Sequence, residues 1–200
     1  VLSGGAVTVQ ALESAVIRAD TDGSVSSSGG DIFGKGDSLA FNAVVATNLV
    51  LSSAEATVDA STVTTTTAGA DGRGDIVVDA QNASQIDANT SSVATSGAQS
   101  ISFLLAFNTV GYRAQNLLFN TIDALLGVDT FGSEVPAVVH AGVTDSALVA
   151  AGAVSVTSTS EAQINARVGN DATSYPTAFF GAEGMSVGGI LSSNMVSSSA

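Results

Sequence analysis

Apolar and polar residues alternate along most of this 200-residue chain. Short stretches with a period of two, rich in Val and Ile and bounded by Gly, Asn, Asp or Ser, predict β-strands. One such pattern occurs three times, at 5–20 (GAVTVQALESAVIRAD), 74–89 (GDIVVDAQNASQIDAN) and 152–167 (GAVSVTSTSEAQINAR). The copies share their internal spacing, and one repeat is about 70 to 80 residues long. The chain therefore consists of internal repeats.

The shared motif of these copies is G-x-(V/I)-x-V, a short polar stretch and then I-x-A. We expect its Val, Ile and Ala side chains to face the interior, and the polar residues between them to face water. The matched positions are Gly5, Val7, Val9, Ile17 and Ala19; Gly74, Ile76, Val78, Ile86 and Ala88; and Gly152, Val154, Val156, Ile164 and Ala166.

A second apolar element follows each copy, at 38–54, 100–110 and 184–200. Its shared positions are Phe41, Ile101 and Val187, then Val44, Leu104 and Ile190, and finally an Asn at 48, 108 and 194. Asn side chains at equivalent positions of stacked strands form an amide ladder, in which each bonds the next. The alternative is that the three Asn residues fill left-handed turn positions independently. A third element, ATVDAS at 56–61, aligns with AVVHAG at 137–142.

Short strands, turn residues and self-similarity predict an all-β fold, a parallel β-helix (β-solenoid) in which stacked coils bury one another's inner faces. We expect one continuous solenoid over 1–200, a segment of a longer chain, with repeats at about 5–73, 74–151 and 152–200, the last truncated. About eight coils at ~4.8 Å each would give a rod on the order of 40 Å long. The alternative is a string of β-sandwich domains. The absence of Trp and the presence of only two Pro disfavour it.

One segment departs from the strand pattern. An insertion at about 111–133 contains a stretch, 113–127, with apolar residues at helical spacing and Gly127 as its C-terminal stop. We therefore predict one short amphipathic helix there, either a lid over an apolar groove or a docking site for a partner or subunit. The apolar positions are Ala114, Leu117, Leu118, Ile122, Leu125 and Leu126.

The charge balance limits the classes of partner that the chain can bind. The chain has five Lys and Arg against eighteen Asp and Glu, a net charge of −13. A nucleic-acid partner is excluded because a binder must neutralise phosphates with cations, and docking on anionic lipid is disfavoured for the same reason. The apolar stretches fall short of the roughly 20 residues of a membrane helix, so no membrane insertion is expected. The chain has no Cys, which rules out disulfides and thiolate metal ligands.

Candidate catalytic and metal-binding residues are few. His140 is the single histidine, and the alignment of the third element places it outward, opposite Asp59. Asp20 and Asp22 precede Gly23 as in the start of a calcium loop, but no Glu follows at the distance an EF-hand needs. The GRGD stretch at 72–75 matches the tripeptide that integrins recognise, yet it overlaps the start of a predicted strand.

A polysaccharide-active β-helix would need clustered carboxylates with Arg or Lys on one face. The cations are scattered instead, and the aromatic sugar platforms on offer are few. We therefore predict no catalytic, cofactor-binding or metal-binding residue and no enzyme activity. The cations are Arg18, Lys35, Arg73, Arg113 and Arg167, and the aromatic residues considered are Tyr112, Tyr175, Phe179 and Phe180.

The GAVTV, GDIVV and GAVSV openings, the QIDA and QINA strands and the Asn-bearing apolar strand resemble those of long repetitive bacterial exoproteins, of the filamentous-haemagglutinin and autotransporter-adhesin type. The resemblance implies a β-solenoid rod, extracellular or at the cell surface, that serves in adhesion, aggregation or a matrix. The expected function is thus a non-enzymatic structural or adhesive rod. The expected partners are further repeats or copies of the chain, stacked end to end, and host or matrix glycans. The alternative is a glycan- or protein-binding module on the same scaffold.

Overall fold

A computed structural model describes residues 1–28, 37–67, 74–112, 136–176 and 184–200. All the regular secondary structure in these ranges is β-strand, as the alternating pattern predicts. The strands are β1 (Leu2–Ser3), β2 (Val7–Glu13), β3 (Val16–Ser27), β4 (Leu39–Val50), β5 (Ala54–Asp59), β6 (Thr62–Thr65), β7 (Ile76–Asn82), β8 (Gln85–Ser96), β9 (Gln99–Val110), β10 (Ala137–Thr144), β11 (Ala147–Val149), β12 (Val154–Ser160), β13 (Gln163–Ser174), β14 (Met185–Val196) and β15 (Ser198–Ser199).

The strands form five parallel sheets of three strands each. We label them sheet I (β2-β7-β12), sheet II (β3-β8-β13), sheet III (β4-β9-β14), sheet IV (β5-β10-β15) and sheet V (β1-β6-β11). The chain visits the five sheets in order and returns to the first. One circuit is called a coil here: coil 1 is β2–β6, coil 2 is β7–β11 and coil 3 is β12–β15, while β1 precedes coil 1 and pairs with β6 on the side away from β11.

This arrangement is compatible with the predicted β-solenoid, since the sheets are parallel and do not close into a barrel. It does not support tandem β-sandwiches, which are built from antiparallel sheets. Every pairing among the described strands is parallel and joins strands of different repeats.

The register confirms the repeat alignment of the first two elements. A row is defined here as the three residues at one register position in the three strands of a sheet. Val7, Ile76 and Val154 form one row of sheet I. Ile17–Ile86–Ile164 in sheet II and Phe41–Ile101–Val187 in sheet III are two others.

The number of coils was predicted wrongly. One whole repeat makes one coil, so the described strands form three coils rather than eight. At about 4.8 Å per strand spacing, three coils occupy roughly 14 Å along the stacking axis rather than 40 Å. The strand pattern along the chain does not fix how many strands complete a circuit, and in the structure five are needed.

The alignment of the third element is also corrected. Strands β5 and β10 do pair, but His140 lies beside Glu55, and Asp59 lies beside Thr144. The predicted alignment was therefore off by four residues. A shift by an even number of residues leaves the same side chains facing inward, so alternation in a Val- and Ala-rich strand does not fix its register.

The interior contains two apolar clusters and a polar zone. One cluster lies between sheets I, IV and V and includes Ile76 and Val78, both 0% exposed. The other joins Val50, Ile86 and Val110. Between the C-terminal half of the sheet II strands and the N-terminal half of the sheet III strands, the buried side chains are mostly small and polar. They include Ser38, Asn42, Thr90, Ser92, Ser96, Ser100 and Ser102.

The predicted helix at 113–127 lies outside the described residues, as does the insertion at 111–133 apart from Gly111 and Tyr112. Within the described ranges the chain forms no helix. None of those residues belongs to a helix that is long and apolar enough to span a membrane.

Candidate functional site

Three aligned asparagines link the coils through their side chains. In sheet III the Asn48 Nδ2 donates to the Asn108 Oδ1 over 2.8 Å, and the Asn108 Nδ2 donates to the Asn194 Oδ1 over 2.8 Å. Asn108, in the middle coil, is 2% exposed. The predicted amide ladder is thus confirmed, and all its bonds point in one direction along the stack.

On the outer face of sheet I, a single carboxylate receives donors from both neighbouring strands. The Asp79 Oδ1 accepts from Thr157 Oγ1 at 2.6 Å, and its Oδ2 accepts from Gln10 Nε2 at 3.1 Å and Gln81 Nε2 at 2.7 Å. These bonds favour the charged carboxylate. The bond from Thr157, and next that from Gln10, hold the pKa of Asp79 below its ordinary value.

Asp87 has the same role on the outer face of sheet II. Its Oδ1 accepts from Asn165 Nδ2 at 2.9 Å and from Gln85 Nε2 at 2.7 Å. The Arg18 Nε lies 3.9 Å from the other carboxylate oxygen. The Asn165 and Gln85 bonds, with a smaller contribution from the Arg18 charge, lower the pKa of Asp87.

The outward rows of sheets I and II keep carboxylates apart. In the described residues of these sheets, no outward row places two acidic side chains on neighbouring strands. Like charges directly opposite on adjacent strands are destabilising, so this spacing lets an acidic chain stack its coils. The rows with acidic members are Gln10–Asp79–Thr157, Arg18–Asp87–Asn165, Asp20–Asn89–Arg167, Asp22–Ser91–Gly169 and Ser24–Val93–Asp171.

Two of these rows border an open groove of about 710 Å³ on sheet II. The groove runs along the stacking axis. It is lined by Arg18, Ala19, Asp20, Asp87, Ala88, Asn89, Ile164, Asn165, Ala166 and Arg167. Guanidinium, amide and carboxylate groups in one groove offer both donors and acceptors, the set that a polyhydroxyl ligand requires. No nucleophile lies beside a general base in this lining, so the groove can bind but has no constellation for covalent chemistry.

The candidate calcium residues do not lie in a loop. Asp20 and Asp22 are successive outward positions in the middle of β3. The Asp20 Oδ1 accepts from Asn89 Nδ2 at 2.9 Å, and the Asp22 Oδ1 accepts from Ser91 Oγ at 2.5 Å. The similarity of ADTDGS to the start of a calcium loop is therefore not matched by its structure, which is a strand. Across the described ranges, no group of three or more His, Cys, Asp or Glu side chains is arranged to hold a metal ion.

His140 is exposed on the outer face of β10, as the alternation predicts, and its pairing with Glu55 replaces the expected pairing with Asp59. Of the GRGD stretch, Gly72 and Arg73 lie outside the described residues. Gly74 has a positive φ of 89°, and the Asp75 Oδ1 accepts from the Ala153 amide at 2.7 Å. Asp75 thus stabilises contact between coils.

The outer face of sheet III was missed at the sequence level. It is apolar, and Phe41 and Phe103 contact each other there with ring centroids 6.3 Å apart. A signal was present, since β4 has large apolar residues on both faces (LAFNAVVATNLV). The exposed apolar residues of this face are Leu39, Phe41, Val45, Phe103, Met185 and Val187. Among the aromatic sugar platforms considered, Tyr175 is 63% exposed, and Phe179 and Phe180 lie outside the described residues.

Comparisons with protein-family models, curated proteins and solved structures find no match for this chain.

Proposed function

We propose that the chain is a non-enzymatic structural segment of a β-solenoid rod, belonging to a large exported surface or fibre protein. The observation that carries this proposal is the exact repetition of rows along one axis, including the continuous Asn48–Asn108–Asn194 ladder. Each coil pairs in parallel with the next at the same register and is joined to it by the asparagine ladder, so the architecture extends by adding coils and needs no separate site.

The pairing between coils suits a load-bearing role. Coil 1 pairs with coil 2 through 7 residues of β2, 12 of β3 and 12 of β4. In parallel sheets the backbone hydrogen bonds lie roughly along the stacking axis, so tension along that axis is shared among the bonds of each layer between two coils. A location outside the cell rests on the resemblance to bacterial adhesins, and the acidic, Cys-free composition fits it.

Single-molecule force spectroscopy tests this role. The chain is placed between two marker domains of known unfolding force and pulled from its ends. We expect it to resist extension at least as well as the markers, because a whole layer of hydrogen bonds must break together. Extension before the markers unfold would contradict a load-bearing function. Turnover of polysaccharide substrates by the purified chain would contradict the non-enzymatic part.

A second candidate is a glycan-binding module. The axial groove on sheet II favours it, because Asp20, Asn89 and Arg167 line that groove together with Arg18, Asp87 and Asn165. An extended polysaccharide would lie along the groove and exchange hydrogen bonds with these side chains. Saturable binding of oligosaccharides by the folded chain would favour this function over a purely structural one.

A further inference from the structure

We infer that copies of this chain stack head to tail, with β12, β13 and β14 of one copy pairing in parallel with β2, β3 and β4 of the next at the register of the internal repeats. This inference rests on the proposed rod function and names its partner, a second copy. It predicts which residues meet at the junction.

Apolar rows are exposed to solvent at the coil 3 end. Val154 is 49% exposed and Val156 45%, whereas the row partners Ile76 and Val78 in coil 2 are both 0% exposed. In sheet III, Ile190 is 52% exposed while its row partner Leu104 is 0% exposed. The same rows are thus fully buried in coil 2, which has a coil on both sides. One further coil at this end would remove them from water and supply the main driving force.

The opposite end offers matching side chains. At the repeat register, Val154 and Val156 meet Val7 and Val9 of the next copy, which are only partly buried against the core in the free chain. The edge strands at both ends also leave backbone groups unpaired, which templates strand addition.

The asparagine ladder has complementary free ends. Asn48 uses its Nδ2 toward coil 2, which leaves its Oδ1 as an acceptor. Asn194 accepts through its Oδ1, which leaves its Nδ2 as a donor. Head-to-tail stacking at this register places the Asn194 amide beside the next copy's Asn48 and continues the ladder with the same polarity. A head-to-head or tail-to-tail contact would instead reverse the ladder.

The charges agree with the same register. Arg167 ends the row Asp20–Asn89–Arg167, so stacking puts its guanidinium beside Asp20 of the next copy. Two other acidic residues, in β2 and β3 of coil 1, meet neutral partners, because Asp22 faces Gly169 and Glu13 faces Ser160. The spacing of carboxylates inside one chain therefore continues across the junction.

Engineered disulfides test the register directly, since the chain has no Cys of its own. In the double variant Asp20→Cys/Arg167→Cys, the Cα atoms of the two cysteines in one copy are two strand spacings apart, about 9.6 Å. That exceeds the Cα separation of up to about 6.8 Å that a disulfide allows. Between stacked copies they lie one spacing apart, about 4.8 Å. Mild oxidation is expected to give a series of multimers on a non-reducing gel, which reductant returns to monomer.

The matched control is Asp22→Cys/Arg167→Cys. Its two cysteines lie on the same face but two residues apart along the strands, so their Cα atoms are about 8 Å apart between stacked copies. We expect it to cross-link at least tenfold less. Equal cross-linking of the two variants would overturn the register, and dimers from Arg167→Cys alone would indicate tail-to-tail contact and overturn the polarity.

A second variant, Ile190→Asp, places a charge in an exposed apolar row at the coil 3 end. We expect it to keep the wild-type circular dichroism spectrum but to sediment as a monomer at concentrations where the wild type forms longer species. A wild type that is monomeric throughout would overturn the stacking. If that monomer still resisted force as the marker domains do, the proposed rod function would stand.

Discussion

At the residue scale, the central asparagine of the ladder is the most informative position. Asn108→Ala removes both ladder bonds and leaves the Asn48 amide and the Asn194 carbonyl without their partner. Because Asn108 is 2% exposed, we expect the free energy of unfolding to fall by about 1–3 kcal/mol. Urea denaturation measures this.

The matched control for that prediction is Asn194→Ala, which removes one bond at the open end of the stack. Its expected cost is about 0.5–1.5 kcal/mol. Equal losses for the two variants would mean that the asparagines act independently and not as a ladder.

The paired carboxylates of sheets I and II make a second prediction at this scale. Hydrogen bonds lower the pKa of Asp79, chiefly from Thr157, and that of Asp87, chiefly from Asn165. A lowered folded-state pKa stabilises the fold above the unfolded value of about 4. That contribution is lost as the pH falls through the lowered pKa. We expect thermal stability to drop on acidification from pH 6 to 3.

Carboxyl titration by NMR separates the two sites. Thr157→Val is expected to raise the titration midpoint of Asp79 and leave that of Asp87 unchanged, and Asn165→Leu is expected to do the reverse. If either substitution moved both midpoints, or neither, the assignment of the shifts to these hydrogen bonds would be wrong.

At the scale of elements, sheets II and III keep a constant spacing because, in two facing rows, a large side chain on one sheet is opposite a small one on the other, or two of middle size meet. The rows Gly23–Ser92–Asn170 and Asn42–Ser102–Gly188 face each other. In coil 1, the Asn42 Nδ2 donates to the Gly23 carbonyl at 2.7 Å. In coil 2, two Ser hydroxyls meet at 2.6 Å. In coil 3, Asn170 lies 3.3 Å from a Cβ built on Gly188. The spacing between the sheets is thus preserved although each residue differs.

This pairing of large and small residues predicts that exchanging Gly23 and Asn42 costs less stability than the sum of the two single substitutions. A Cβ at Gly23 would lie 2.3 Å from the Val44 Cγ2 and 3.3 Å from the Asn42 Nδ2, so Gly23→Asn alone overpacks the interface and should cost about 1–3 kcal/mol. The change Asn42→Gly removes the second of these contacts. Asn42→Gly alone leaves a void and loses the bond to Gly23. In Gly23→Asn/Asn42→Gly, which reproduces the coil 3 arrangement, we expect a favourable coupling of at least about 1 kcal/mol in a double-mutant cycle.

Gly169→Asn serves as the control for the swap. A Cβ at this neighbouring strand position meets nothing within 4 Å, so the substitution should be nearly neutral. Strictly additive effects of Gly23→Asn and Asn42→Gly in urea denaturation would contradict this pairing of large and small residues.

At the scale of the whole molecule, the three coils form a stack with two different ends. The ladder points in one direction, and the exposed apolar residues of coil 3 lie at positions that are buried in coil 2. The proposed head-to-tail contact between copies is heterologous, and a heterologous contact that does not close produces an open filament. Stacking through Arg167 and Asp20 therefore belongs to the same physical picture as the rod.

Much of this organisation is visible in the sequence, and its limits have identifiable causes. The rows from Val7 and Ile17 were predictable because their motif contains Gly and a fixed polar spacer that allow one alignment. The register of β5 and β10 was not, because a shift of four residues leaves alternation intact. The outward rows that keep carboxylates apart, and the packing of Gly23 against Asn42, involve residues that differ between repeats. The similarity of the repeats therefore gives no signal for them.

The sequence by itself determined the strands, the parallel stacking of the repeats and the Asn48–Asn108–Asn194 ladder, since similar local patterns with the same internal spacing dictate equivalent positions in adjacent strands. Only the tertiary structure decided that five strands complete one coil, which reduced the expected eight coils to three. It also decided that Asp20 and Asp22 lie in mid-strand and that large and small residues of sheets II and III are paired across their interface. These features depend on contacts between segments distant in the chain, and periodicity along the chain does not record which faces meet.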